Sequence, residues 1–206
     1  MSTALFARRS TEGIPDMSRR RGYLLAATAA ALVTAGVAGS TTASAAPADR
    51  DVINKMDGSR LATLSDSAAE GANAISLRSP GWKYRSESWR VEGPGWDSGT
   101  RTSTRVFRNA ASDKCLQPAS ATPKRGARIV IKKCDGSDLQ KWVGHPERSG
   151  GNNTGWWMWT PKTDDKLAMA LDRYNDGSWD TLHLETAYPS SDRLWRIAPD
   201  DKPWNL

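Results

Sequence analysis

Residues suited to catalysis are scarce in this sequence: of 206 residues, two are histidine and two are cysteine. His145 lies in a polar linker and His183 in an alternating segment, with no metal-ligand spacing around either, which argues against a zinc centre. No nucleophile motif or glycine-rich phosphate loop is present. Asp164-Asp165 falls in a turn, where its charges are solvated. The sequence therefore predicts no enzyme and no cofactor. Helical periodicity is missing from the chain beyond its first segment, which leaves an all-β reading.

Long apolar runs are also missing, with one exception. Leu24 to Val37 is an Ala/Leu/Val run, preceded by Arg19, Arg20 and Arg21 and followed by the small residues Ala43-Ser44-Ala45. That order predicts a signal peptide over residues 1–45, starting at Met17 if residues 1–16 lie upstream of the true start. A transmembrane helix is disfavoured because the run is short and rich in alanine. Arg20-Arg21-Gly22-Tyr23-Leu24-Leu25 also has the order of a twin-arginine signal, so export by either the Sec or the twin-arginine route fits. The expected location is extracellular, with membrane contact only through surface glycans.

Excess charge is small once that segment is removed. The whole chain carries +6, but residues 46–206 hold 24 basic and 21 acidic side chains, leaving +3. Acids and bases are interspersed, which argues against nucleic acid as a partner. Phenylalanine is scarce, at two residues against ten tryptophans. Trp156, Trp157 and Trp159 come almost together. On a strand, Trp157 and Trp159 share one face, with Trp156 and Met158 on the other. Such indoles either plug the end of a barrel or present an exposed patch to a sugar or a protein.

What the chain does contain is a repeat. Trp89, Trp142 and Trp195 follow one another at intervals of 53 residues. Three segments superpose on that spacing, about 53–91, 107–144 and 159–197. In each, a large apolar residue (Ile53, Phe107, Trp159) precedes a second (Leu61, Cys115, Leu167) across a polar turn. A loop carrying Gly71, Gly126 or Gly177 comes next. An alternating strand follows, with inward residues Ile75 and Leu77, Ile129 and Ile131, or Leu182 and Leu184. Each repeat reads as four short strands that cannot bury an apolar face alone, whereas three packed about one axis can. The three tryptophans are then equivalent core positions. The segments Glu92 to Arg105 and His145 to Gly155, rich in Gly, Ser, Pro and Asn, read as surface loops. Residues 46–206 form one domain, and two cysteines in an exported chain point to a disulfide.

The pattern Cys115-Leu116, a Gly-bearing loop, an alternating strand, Cys134-Asp135-Gly136 and Gln140-Lys141-Trp142 resembles the ricin B-type lectin family. The resemblance spans essentially the whole of residues 46–206 and is strongest in the second repeat. It implies a β-trefoil of three four-stranded repeats and an intra-repeat Cys115–Cys134 disulfide. It also implies a carbohydrate-binding function without catalysis, with a glycan or polysaccharide as partner. The family places a sugar-binding Asp two residues after the first cysteine, and here those places fall to Thr63, Gln117 and Met169, none of them acidic. Where the family has an aromatic residue and an asparagine, the second repeat has Lys132 and Asp135.

Two substitute sites remain. In the third repeat, Ala170-Leu171-Asp172 imitates the family's Cys-Leu-Asp, giving Asp172 as hydroxyl acceptor with Tyr174, Trp179 and His183 around it. Otherwise Asp172 is a solvated loop acid beside Arg173. In the second repeat, Asp135 joins the amides of Gln117 and Gln140, or else Asp135-Gly136 is a hairpin turn and Gln140 structural. The absent acids leave an alternative open: a protein-interaction trefoil, either a toxin-delivery subunit or a protease inhibitor, that has lost sugar binding and uses exposed tryptophans.

Overall fold

The computed structural model describes residues 48–78, 83–172 and 177–200; the predicted signal segment and Tyr174 lie outside them. Each repeat supplies four strands. The first gives β1 (Arg50–Asn54), β2 (Arg60–Thr63), β3 (Ala74–Leu77) and β4 (Trp89–Asp97). The second gives β5 (Thr102–Asn109), β6 (Lys114–Pro118), β7 (Ile129–Lys133) and β8 (Trp142–Ser149). The third gives β9 (Asn152–Pro161), β10 (Leu167–Leu171), β11 (Trp179–Thr186) and β12 (Leu194–Pro199). Six of them close an antiparallel barrel in the order β1, β4, β5, β8, β9, β12 and back to β1. The other six form the hairpins β2–β3, β6–β7 and β10–β11. These hairpins join in a triangle through the β3–β11 pairing and the bridges Asn73–Val130 and Arg128–His183. This is the β-trefoil arrangement.

The repeated tryptophans are the pins of that symmetry. Trp89, Trp142 and Trp195 have no exposed surface. Each indole N–H donates to a main-chain carbonyl on the second strand of its own repeat: Leu61 at 2.8 Å, Leu116 at 3.0 Å and Met169 at 3.1 Å. A buried indole N–H needs such a partner, and each bond locks the closing strand of a repeat onto its hairpin. The Cys115–Cys134 disulfide is formed, joining the start of β6 to the residue just after β7.

These bonds and the strand register correct the expected alignment. Leu61, Leu116 and Met169 are the equivalent residues, so Arg60 and Ala168 match Cys115, in place of the expected Leu61 and Leu167. The sugar-acid places accordingly fall to Ala62, Gln117 and Ala170, not to Thr63 or Met169. In the first repeat Leu61 and Trp89 stay in the core, while the inward residues of β1 and β3 move back by one. Val52 joins the core with Phe107 and Trp159, whereas Ile53 lies outside it. On β3, Ala74 enters the core, with Ser76 buried beside it. Ile75 and Leu77 point the other way, since a slip of one residue exchanges the faces of a strand. Apolar size misled the reading: the inward places of β3 hold the small residues Ala74 and Ser76.

The two expected surface loops are β-hairpins. β4–β5 pairs out to Asp97 and Thr102, and β8–β9 out to Ser149 and Asn152. Their glycines provide the irregularities a hairpin tolerates. Gly93 and Gly95 take positive φ at a bulge, and Gly150-Gly151 form a turn, leaving the intervening residues free to pair.

Candidate functional site

β11 builds one side of a groove by alternation. Asp180, Leu182 and Leu184 are buried, while Thr181, His183 and Glu185 face outward. The end of β10 brings Asp172 alongside, its N–H donating to the Thr181 carbonyl at 2.9 Å. The second repeat closes the groove: Gly126 donates its N–H to Leu184 O at 2.7 Å, which lays Arg125, Gly126 and Arg128 beside β11. The resulting cavity is about 550 Å³. A further recess of about 330 Å³ shares Asp172, His183 and Glu185 and continues to Met56 and Arg193.

Within the groove, Arg125 Nε donates to Glu185 Oε1 at 2.5 Å and the Thr186 N–H donates to the same oxygen at 2.7 Å. The Arg125 hydrogen bond is the main reason the Glu185 carboxyl titrates at about 2, well below its ordinary range. His183 Nε2 lies 3.9 Å from Glu185 Oε2. The His183 Nδ1 atom is buried and finds no hydrogen-bond partner among the described residues. The groove is thus a polar cleft of alternating donors and acceptors with one imidazole ring.

Trp179 does not belong to it. Paired with Leu77 across β3–β11, it lines a second groove of about 330 Å³ with Thr63, Leu64, Ser65, Asp66, Ile75 and Tyr84. Ser65 and Asp66 both take left-handed backbone conformations, φ 57° and 53°, uncommon away from glycine. Two bonds hold that bend: Thr63 Oγ1 donates to Ser67 O at 2.9 Å, and the Ser86 N–H donates to Asp66 Oδ1 at 2.9 Å. An exposed carboxylate thereby lines the same groove as two rings, Tyr84 and Trp179, each 39% exposed. Ile75 and Leu77, turned outward by the register of β3, supply an apolar floor. Sequence reasoning found Trp179 but missed Asp66 and Tyr84. The two come from separate loops, and only the β3–β11 pairing brings Trp179 to them.

The second-repeat group is differently placed. Gln117 and Gln140 are buried. Gln140 Nε2 donates to Gln117 Oε1 at 2.9 Å and to Lys133 O at 2.8 Å, while its Oε1 accepts the Asp135 N–H at 2.9 Å. Asp135 Oδ1 in turn accepts the Ser137 N–H at 2.8 Å. That bond foremost holds the Asp135 carboxyl below its ordinary range. The amides are thus engaged with one another and with the main chain under the hairpin, and Asp135 closes a turn. Of the third-repeat set, Asp172 and His183 come together, Trp179 lies in the neighbouring groove, and Tyr174 is outside the described residues.

No protein-family model matches the sequence, and no curated protein matches it. Solved structures do. The chain is similar to a designed threefold-symmetric protein, ThreeFoil, with 18% identity over 73% of this chain and 97% of that one, at a TM-score of 0.60. It is similar to the Rhizoctonia solani agglutinin, with 14% identity over 76% and 98%, at a TM-score of 0.56. It is also similar to the Macrolepiota procera ricin B-like lectin in complex with lactose, with 15% identity over 77% and 99%, at a TM-score of 0.52. At such identities the likeness is one of fold.

Proposed function

We propose that this chain is a secreted, non-catalytic carbohydrate-binding protein whose principal site is the groove of Asp66, Tyr84 and Trp179. The observation that carries the reading is a carboxylate and two part-exposed aromatic rings lining one groove with an apolar floor. Pyranose rings have an apolar face that packs on an aromatic side chain, and an edge of adjacent hydroxyls that donate to a carboxylate. The Asp172–His183–Glu185 groove is the second place where a saccharide fits, through polar contacts. Support also comes from the fold neighbours, one of which is a lectin in complex with lactose. The repeats carry no acid at the sugar-acid places, so this site uses an acid from the loop after β2 instead.

The test is a glycan array and a polysaccharide pull-down with the exported chain, followed by titration of the best ligand. Retention on at least one neutral glycan is expected, with Trp179→Ala weakening it about tenfold through loss of the ring. Absence of retention on every glycan removes the carbohydrate reading and leaves the fold intact.

A further inference from the structure

The mouth of the barrel departs from the pattern of its interior. Val52, Phe107 and Trp159 are threefold equivalents in the core. Two residues nearer the mouth, on the same faces of the same strands, stand Arg50, Arg105 and Trp157, paired opposite Trp89, Trp142 and Trp195 respectively. Two of three inward positions in this layer therefore carry guanidinium groups, where alternation would continue an apolar core. With Ser103, Val91, Trp159 and Ile197 they line a recess of about 370 Å³ that shares no residue with either groove described above.

The polar atoms of this recess mostly donate. Arg50 and Arg105 form no ion pair among the described residues, and the one side-chain bond of Arg105 runs from Nη1 to Gly93 O at 3.4 Å. No acid lines the recess among the described residues; Glu92 pairs with Arg108, Glu147 with Lys55, and Asp97 with the Gly99 amide. Asp51, beside Arg50 in sequence, meets Arg60 at 3.1 Å and Lys83 at 3.5 Å. Trp159 is 1% exposed, and its indole N–H has no partner among the described residues. One wall is aromatic: Trp157 stacks on Trp159 at 6.0 Å and meets Trp96 edge-on at 6.0 Å. Trp96 is 48% exposed, so the wall reaches solvent.

We propose that the barrel mouth binds an anionic saccharide unit, a uronate or a sugar sulfate. Its acidic group sits between Arg50 and Arg105, and its ring lies along Trp157 towards Trp96. Guanidinium forks recognise carboxylate and sulfate oxygens, and two of them without an ion-pair partner among the described residues favour an anion over a neutral sugar. The saccharide half of this inference rests on the carbohydrate reading, whereas the anionic half rests on the recess alone.

The experiment is calorimetry and tryptophan fluorescence on the exported chain. The titrants are an oligogalacturonate, a sulfated oligosaccharide, a neutral oligosaccharide of equal length, and inorganic sulfate. Expected is salt-sensitive binding of at least one acidic oligosaccharide, tighter than the neutral one and accompanied by a change in indole fluorescence. Arg105→Gln and Arg50→Gln each weaken it about tenfold or more, and Arg105→Lys restores part of the loss. Lys162→Gln, at an exposed lysine paired with Asp138, removes the same charge without that effect. The two acidic oligosaccharides distinguish uronate from sulfate. Equal binding of acidic and neutral sugars, indifference to both arginine variants, or inorganic sulfate binding as tightly as the sugars, meaning an adventitious ion only, each overturns the proposal. Neutral-sugar binding that needs Trp179 while acidic groups add nothing sinks this inference and leaves the groove reading standing. Arginine-dependent acidic binding without neutral binding does the reverse.

Discussion

Gly144 and Trp159 share one slot in the barrel: they pair directly across β8 and β9, and a Cβ on Gly144 would lie 2.5 Å from the indole Cζ3. The equivalent pairs are Val91 with Phe107 and Ile197 with Val52. The largest core residue thus faces the smallest, and the smallest of the other triad faces isoleucine, which keeps the layer filled with unequal parts.

Gly144→Ala should therefore destabilise the fold by about 1–3 kcal/mol, the usual cost of overpacking. Trp159→Phe in the same chain should recover part of that loss, because the clashing atoms belong to the six-membered ring of the indole. A urea-unfolding double-mutant cycle measures the coupling. Additive losses would show that the barrel relaxes around the methyl group.

The same slot shows what the sequence made legible. The even spacing of the tryptophans revealed three repeats, because a buried indole bonded to a fixed carbonyl tolerates little displacement. The register of the first repeat was hidden because Val52 and Ile53, or Ala74 and Ile75, are adjacent apolar residues and alternation alone does not choose between them. Gln117 and Gln140 were recognisable as a pair, but an amide that binds sugar and one that supports a hairpin look identical in sequence. Asp66 and Tyr84 carried no periodic signal, being joined to Trp179 only by the β3–β11 pairing.

Removing one indole bond tests the symmetry energetically. Trp195→Phe leaves the Met169 carbonyl without its 3.1 Å donor and opens a cavity. A loss of about 2 kcal/mol or more is expected. Trp89→Phe and Trp142→Phe should cost similar amounts, since their bonds and burial are alike. Chemical denaturation of the three variants compares them, and a loss confined to one repeat would contradict equivalence.

The disulfide joins Cys115 and Cys134 across a sequence separation of 19. Chain-entropy arguments assign about 3 kcal/mol to a loop of that size. Replacing both cysteines by alanine should lower the urea midpoint accordingly while the fold persists, because no other repeat has a crosslink. Reductant should reproduce the shift in the parent chain and have no effect on the double variant.

Acid should weaken the fold in two separate steps. Burial pushes the His145 imidazole below its ordinary value of 6.5, so the folded chain binds fewer protons there than the unfolded one. Its contribution is full above 6.5 and falls away as the pH drops below it. Glu185, bonded to Arg125, titrates at about 2 against an ordinary 4.5, so its contribution is lost between those values. Unfolding midpoints measured across pH should show both declines. His145→Asn should flatten the upper decline, and Arg125→Gln the lower. The second effect will be small because the Arg125 side of the pair is largely exposed and solvent screens it.

The two grooves can be ranked by their acids. Asp66→Asn keeps an Oδ1 acceptor for the Ser86 N–H, so the left-handed bend and the surrounding rings should survive. What is lost is the charge that strengthens hydrogen bonds from sugar hydroxyls, a difference of about 1–2 kcal/mol or about tenfold in affinity. Asp172→Asn alters a cleft without an indole or phenol ring among its described residues, and should change affinity for a neutral glycan far less. Paired titrations of the two variants with one ligand decide the order. A large loss at Asp172 with none at Asp66 would move the principal site to the third repeat, where polar contacts alone would have to orient the sugar.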